Sequence, residues 1–560
     1  MSKRLLSVCI VCCVSVIGAC GSGSGDFAAQ FQSSQEPAIA PAIATSEVAN
    51  TAADDPLSRE DAFRLLEQGT FGPVMEDIQS LESSSAQSWI NRQMQLPATY
   101  LSDGLARANS ERWNEYVNVW WRQAIQAEDQ LRQRVAFALS QILVASATGA
   151  LGEEQFGLAN YYDILLRNAF GNFRDLLEDV TLNPVMGEYL SMKGNRKPEV
   201  AENIQPDENY AREVLQLFSI GQVMLNEDGT PILGADGTPI PAYDQDTIEN
   251  FARVFTGWHF ADVDHFIWPQ HKDYISPMQP LEQYHDTDAK TLLDNQQLPA
   301  GLSAKEDLNA ALDNIFYHPN VGPFISKQLI QRLVTSNPST QYVYDVAQVF
   351  NSNREGERGS LASTINAILM HKEARQGHLD SPDTFGKLKE PLIRLTQVWR
   401  AFEPSEIPAD FNYAWVKNQL AQSPLNSPSV FNFYRPTYSL PGEIRDNALV
   451  SPEFQITTDT SIIRITSRLL ANTIWSHNYK NDPNSSWIAI DISTEMELEE
   501  DHEQLLDHLD LLMLGGRMSD GLRQIVMEKM DELQYENAAS QRVVEAIFLI
   551  ASSPEAAIQQ

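Results

Sequence analysis

Three stretches carry side chains that could do chemistry. The first runs Asp207-Glu208-Asn209-Tyr210-Ala211-Arg212-Glu213-Val214-Leu215-Gln216-Leu217-Phe218-Ser219-Ile220-Gly221. At 100° per residue, Asn209, Arg212, Glu213 and Gln216 share one helix face, and Tyr210, Val214, Leu217 and Phe218 lie on the other. Arg212 could hold an anionic or carbonyl group there and Glu213 could act as a base. The bland alternative is a solvated face or a structural ion pair. The second stretch, Phe251-Ala252-Arg253-Val254-Phe255-Thr256-Gly257-Trp258-His259, ends a helix at Thr-Gly. Gly257 suits the left-handed residue after a helix, so Trp258 and His259 emerge together at a corner.

The third stretch is a loop with His259, Asp262, Asp264, His265, His271 and Asp273, followed by His285-Asp286 and Lys290. Imidazoles beside carboxylates can ligate Zn²⁺, Fe²⁺ or Mn²⁺ or move protons near neutrality. No H-E-x-x-H and no calcium-loop spacing accompanies them. The expectation is therefore no metal site, with His259, His265 and His271 as weak candidates; the cofactor is unknown. If Asn209, Arg212, Glu213, Arg253, Trp258, His259, His285, Asp286 and Lys290 meet in one pocket, an enzyme is indicated. If they scatter, a scaffold is.

Cysteine chemistry is confined to the start of the chain, because the four cysteines are Cys9, Cys12, Cys13 and Cys20. Lys3 and Arg4 precede an apolar run that ends Ile17-Gly18-Ala19-Cys20. This resembles the lipobox of bacterial lipoproteins, which implies a signal peptide over 1–19 and lipidation at Cys20. Residues 20–55 are rich in Gly, Ser, Ala and Pro and read as a disordered tether. The expected address is the outer membrane, facing periplasm or cell surface. Contact with the membrane is expected through the lipid alone.

The elements that must position these residues are helices. Hydrophobic residues make up 43 % of the 560-residue chain, enough for a large core. The formal charge of −35 makes nucleic-acid binding untenable. A helical period recurs from Ser58 onward, with Ser58 and Asp61 as an N-terminal signature. Predicted helices include 113–126, 130–144, 161–168, 173–183, 210–220, 247–256, 305–316, 322–333, 341–350, 361–370, 388–402, 460–471, 503–514, 521–533 and 541–551. Between Met224 and Ile240, Asp-Gly-Thr-Pro-Ile occurs twice, which predicts a β-hairpin-like flap. The fold class is thus mostly α, with that insertion and an irregular middle segment. Residues 56–560 form the helical body, with possible sub-lobes 56–221, 222–300 and 301–560.

Taken together, these motifs resemble the bacterial "domain of unknown function 1800" family. The resemblance rests on Asn209-Tyr210-Ala211-Arg212-Glu213, on Ala252-Arg253-Val254-Phe255-Thr256-Gly257-Trp258 and on His285-Asp286 with Lys290. It continues through Phe324–Thr335, Gly386-Lys387-Leu388-Lys389-Glu390-Pro391, Ser427–Tyr434 and Ser451-Pro452-Glu453-Phe454. Asp207 stands where that family usually has Asn, and Gln216 where Glu is common. The resemblance implies an exported protein and a partner from the "domain of unknown function 1501" family. The expected function is binding or assembly with a partner protein at the outer membrane. The alternative is an envelope enzyme acting on a polymer or polar small molecule by acid/base or metal-assisted chemistry.

Overall fold

Side-chain caps set many of the helix starts. Ser58 accepts the Asp61 amide at the head of Arg59–Gly69. Ser303 and Glu306 form a full capping box before Ala304–Tyr317, and Ser339, Ser360, Asp501 and Ser519 each accept a first-turn amide. The computed structural model describes residues 55–560 apart from 111, 405, 473–475, 479–481, 483–484, 534 and 536–537. The expected signal peptide, the expected lipidation site Cys20 and nearly all of the expected tether lie outside the described residues. What is described is mostly α-helical and belongs to one compact unit. Among the described residues, no helix is long and apolar enough to cross a membrane.

An aromatic knot forms the middle of the core. Trp120 meets Trp121 edge-on at 5.4 Å, Trp121 meets Trp399 at 5.6 Å, and Phe71, Phe137 and Tyr413 close around them. The knot joins the Glu115–Gln126 helix to Pro391–Ala401, which lies far along the chain. The Gln130–Ser140 helix is buried nearly all round, arginines included. Buried arginines of this helix and of two others work on helix ends. Arg132 donates to Met94 O and Leu96 O at 3.3 Å and to Leu166 O at 3.1 Å. Arg400 donates to Ile125 O at 2.7 Å, and Arg332 to Gln141 O at 3.1 Å. A guanidinium there satisfies orphan carbonyls and meets the negative end of the helix dipole, which explains why cations are tolerated so deep.

Strands are short antiparallel pairs: Trp258–His259 with Gln279–Pro280, Lys290–Thr291 with Gln297–Leu298, and Lys387–Leu388 with Ile558–Gln559. The last pair corrects one boundary. The periodicity predicts a helix from 388, but Leu388 pairs with Ile558, and the helix starts at Pro391. Proline at the first helical position sacrifices no hydrogen bond, which favours that start. The flap does turn at both Asp-Gly pairs, where Asp228 and Asp236 accept from Thr230 and Thr238. Its ladder reduces to isolated bridges, because Pro231, Pro239 and Pro241 occupy the paired positions and lack an N–H.

Candidate functional site

The structure divides the predicted residues into three groups. The largest surrounds the corner after the Gln245–Val254 helix. Arg253 grips Asp286 with two bonds, Nε to Oδ2 at 2.8 Å and Nη2 to Oδ1 at 3.1 Å. The Asp286 amide donates to Thr256 Oγ1 at 2.9 Å. Lys290 Nζ lies 2.6 Å from Asp307 Oδ2 and donates to the carbonyls of Asp286 and Asp288 at 2.5 and 3.0 Å. His285 joins the same Asp307 oxygen through Nε2 at 3.0 Å, while its Nδ1 lies 3.0 Å from Thr256 O. Gly257 makes the approach possible. Its φ is +86°, and a Cβ there would fall 3.0 Å from the His285 backbone nitrogen.

Burial works to raise the Asp286 carboxyl. The bond and charge of Arg253, the Asp288 amide and Lys290 outweigh that and hold it below the usual carboxylate range. His285, Asp286, Lys290 and Asp307 are all under 5 % exposed. Asp307, whose Oδ2 is shared by His285 and Lys290, has no place among the residues that the sequence singles out. It sits in the first turn of Ala304–Tyr317, where an acidic residue looks like an ordinary helix-start carboxylate. Nothing in its own neighbourhood signals the role.

The second group lies on Asn209–Gln216. Arg212 turns to Glu208, with Nη2 2.6 Å from Oε2, and that carboxylate also accepts from Gln245 at 3.0 Å. Asn209 is exposed. Glu213 is buried, its Oε2 has no hydrogen-bond partner, and burial pushes its carboxyl up against the opposing pull of Arg212. Its charge is felt by two tyrosines. The Tyr243 hydroxyl, also buried without a partner, is pushed up to about 12 by burial and then by Glu213. Tyr189 is raised by burial and by Glu213, against a bond with Ser427.

The third group is the Trp258-His259 corner itself. His259 is 1 % exposed and packs against Phe260 and Phe266 at 5.4 and 5.1 Å. Its Nδ1 accepts from the Phe260 amide at 2.8 Å. Burial and then the nearby Lys193 charge lower it to about 4. Trp258 is buried, and its carbonyl accepts from the Gly194 amide at 2.8 Å. His265 and His271, by contrast, are exposed. Among the described residues, no three His, Cys, Asp or Glu side chains cluster to hold a metal ion.

The groups adjoin without merging. The turn at 193–197 stitches them together. Asn195 O accepts from Gly257 N at 2.8 Å, the Asn195 amide brackets Asp207, and Lys197 N reaches Tyr284 O. The side of the Asn209–Gln216 helix that meets this block is its apolar one, through Tyr210 on Phe255 at 5.0 Å. The polar side, with Glu213, faces Tyr189 and Tyr243 instead. His285 and Asp286 therefore do not close over Arg212 and Glu213; they pair with Asp307 and Arg253.

A fourth cluster gathers residues from motifs to which the sequence reading gave no role. Glu390 Oε2 accepts from Gln141 at 2.7 Å and also from Gln422. Tyr434 donates to Gln141 Oε1 at 3.1 Å. Glu453 meets Lys387 at 3.0 Å, Lys387 donates to Arg332 O at 2.9 Å, and Arg134 donates to Arg332 O at 2.8 Å. Burial raises Glu453, opposed by Lys387 and assisted by Glu390. Burial lowers Arg134 and Arg332, with Glu390 opposing in both. Glu390 Oε1, Glu453 Oε2, Arg134 Nε and Nη1, and Arg332 Nε have no partner. The available signal was the charged residue inside each motif.

The comparisons agree with the motifs. No curated protein and no solved structure matches the chain. The family described as "Protein of unknown function (DUF1800)" matches residues 64–558, nearly the whole length and every cluster above. The chain belongs to that family.

Proposed function

We propose that this protein works by binding rather than by catalysis, as a lipid-anchored component of the bacterial envelope that assembles with a partner protein. One observation carries the reading. The groups best suited to chemistry are spent on one another: Arg253 on Asp286, Lys290 and His285 on Asp307, and Arg212 on Glu208. Such pairs fix a shape. The anchor rests on the Ile17-Gly18-Ala19-Cys20 pattern. The partner is the "domain of unknown function 1501" protein that family resemblance implies. The test is fractionation of cells expressing the full chain, with co-purification of that partner after detergent extraction. Wild type should sit with the outer membrane and retain the partner, and Cys20→Ser should move to the soluble fraction. Unchanged partitioning of Cys20→Ser, or no co-purification from wild type, overturns the reading.

A second reading is favoured by Glu213. A buried carboxyl with a free oxygen, beside a tyrosine hydroxyl with none of its bonds made, is suited to proton transfer. It would make the protein an envelope enzyme on a polymer or polar small molecule, with Glu213 as the acid. Loss of cellular function in Glu213→Gln with the melting profile intact would favour it over the first.

A further inference from the structure

A small cavity of about 20 Å³ lies between the Pro391–Ala401 helix, the end of His502–Leu514, the end of Ala539–Ser552 and the short Pro554–Ala557 helix. That volume exceeds the ~10–15 Å³ that a single water-sized occupant needs. Buried Val398, Ala401, Met513, Ala551 and Ala556 form its apolar walls, and Arg394 and Gln397 are its polar lining. No carboxylate lines it. Arg394 is half-buried. Burial alone lowers its guanidinium to about 10, with no carboxylate opposing. In a chain with 75 Asp+Glu against 40 Lys+Arg, a guanidinium so placed without a counter-ion is a departure. Among the described residues its side chain makes a single hydrogen bond, from Nη2 to Ala551 O at 3.0 Å. Nε is sealed from solvent, so the N–H pair of Nη1 is what remains for an acceptor.

Gln397 supplies a second, independent donor. Lys389 Nζ donates to its Oε1 at 2.9 Å, which fixes the amide so that its NH₂ end is the free one. Nε2 reaches Met513 O only at 3.4 Å, a long bond that occupies one of its two hydrogens. The Lys389 ammonium is itself matched by Glu67 at 2.6 Å, so that carboxylate is engaged away from Arg394. The charges of Arg394 and Arg517 both bear on Lys389, in the sense that lowers it. The cavity is therefore set in a positive neighbourhood, with spare N–H groups and otherwise apolar walls.

We propose that this cavity is a halide site, in which a single chloride ion sits against the Arg394 guanidinium and the Gln397 amide. An anion accepts hydrogen bonds from both and donates none, which matches a lining with donors to spare. A guanidinium withdrawn from water without a counter-ion costs stability, and the ion supplies the missing charge. Alanines, Val398 and Met513 suit a large, weakly hydrated ion. Sulfate, phosphate and carboxylates have too many atoms for the space. A water molecule fits it but brings no charge. The ion ties the Pro391–Ala401 helix to the last two helices, and the strand after them, Ile558–Gln559, returns to pair with Lys387–Leu388.

The experiment follows the chlorine-35 NMR line width over the purified full chain as chloride replaces gluconate at constant ionic strength. Wild type should broaden the chloride line, bromide should reverse the broadening, and sulfate should not. Arg394→Gln should weaken the apparent chloride affinity by about tenfold or more, as for a lost charged hydrogen bond. Arg394→Lys, which keeps the charge, should lose less. Chloride at about ten times its dissociation constant should raise the wild-type melting midpoint by about 1–3 °C over gluconate and leave that of Arg394→Gln unmoved. If Arg394→Gln does not fold, Ala401→Leu serves, because the larger side chain fills the cavity while the charge stays. It should abolish the broadening that bromide reverses. No broadening by wild type, the result expected of a water-filled cavity, overturns the proposal. So does reversal by sulfate as complete as by bromide, or an affinity unchanged in Arg394→Gln or Ala401→Leu. None of these outcomes depends on anchoring or on the partner protein.

Discussion

The charge cluster around Asp286 and Asp307 comes from one stretch of chain, residues 253 to 307. The cluster around Glu390 and Glu453 draws on Arg134, Arg332, Lys387 and Tyr434 as well, and so ties together distant segments. Their hydrogen bonding differs too. In the first, Arg253, His285 and Lys290 are all paired, and Asp307 Oδ1 is left over. In the second, both glutamates and both arginines keep unpaired buried atoms. A local segment can refine its partners with little entropic cost of loop closure, whereas side chains arriving from six places must accept the positions their helices impose. The first cluster is a closed lock. The second is a junction with unmet hydrogen bonds, and the two should answer mutation differently.

The largest expected effect is at Asp307. Asp307→Ala removes the carboxylate shared by His285 and Lys290 and leaves an ammonium under 5 % exposed beside the Asp286 carbonyl. Breaking a buried pair from one side should cost about 3–5 kcal/mol. Urea unfolding of variant and wild type measures it. A cost below about 1 kcal/mol would mean that the lock contributes little and would erase the contrast between the clusters. Gly257→Ala should come next. Its φ of +86° and the 3.0 Å approach of His285 put both strain and a clash on the new methyl, for a loss of about 1–3 kcal/mol. A neutral result would show that the 285–290 segment can shift, so that the lock is adjustable.

The helical body was legible because its signals are local. Leu361–Met370 falls where the pattern places it, and Ser58 caps as the Ser-x-x-Asp spacing implies. Helices at Ala86–Gln95 and Leu101–Ala108 escaped notice, the first for its glutamines and the second for its internal Gly104. Arg253, His285, Asp286 and Lys290 were legible as charged residues close in sequence, but their shared partner Asp307 was not. Pairing between helices is set by packing, and no spacing rule carries it. Arg134 illustrates the limit. In sequence it is one arginine of an amphipathic-looking helix, and only the burial of every face shows it to be internal.

Glu453→Gln sharpens the comparison from the other side, with a smaller effect. Burial raises this carboxyl above its ordinary value despite Lys387. A raised folded-state pKa means that its contribution is fully present below the unfolded value and is lost as pH rises through the folded one. The amide carries no such penalty. Glu453→Gln should therefore match wild type near pH 4 and equal or exceed its stability at pH 8, by no more than about 1–2 kcal/mol. Melting curves at the two pH values decide it. A strong loss at pH 8 would make the second cluster a lock like the first.

The smallest effect belongs to His259, which extends the comparison to a neutral group. Both clusters hold charges by pairing them; His259 is held by removing the charge. Aromatic walls from Phe260 and Phe266, together with the positive Lys193, lower it to about 4. For a depressed base, stability is present above the ordinary value of 6.5 and is lost as pH falls through about 4. The imidazole should thus stay neutral across the range in which an unperturbed histidine titrates. It could not serve as an acid near neutrality, which is the role the sequence left open for it. The ring-proton resonance assigned by His259→Phe should hold still from pH 8 to about 5 rather than titrate around the ordinary value of 6.5. A His259 midpoint near that same value would mean that water and protons reach the corner freely. Proton transfer at His259 would then return to contention, and the binding reading would lose ground at that corner.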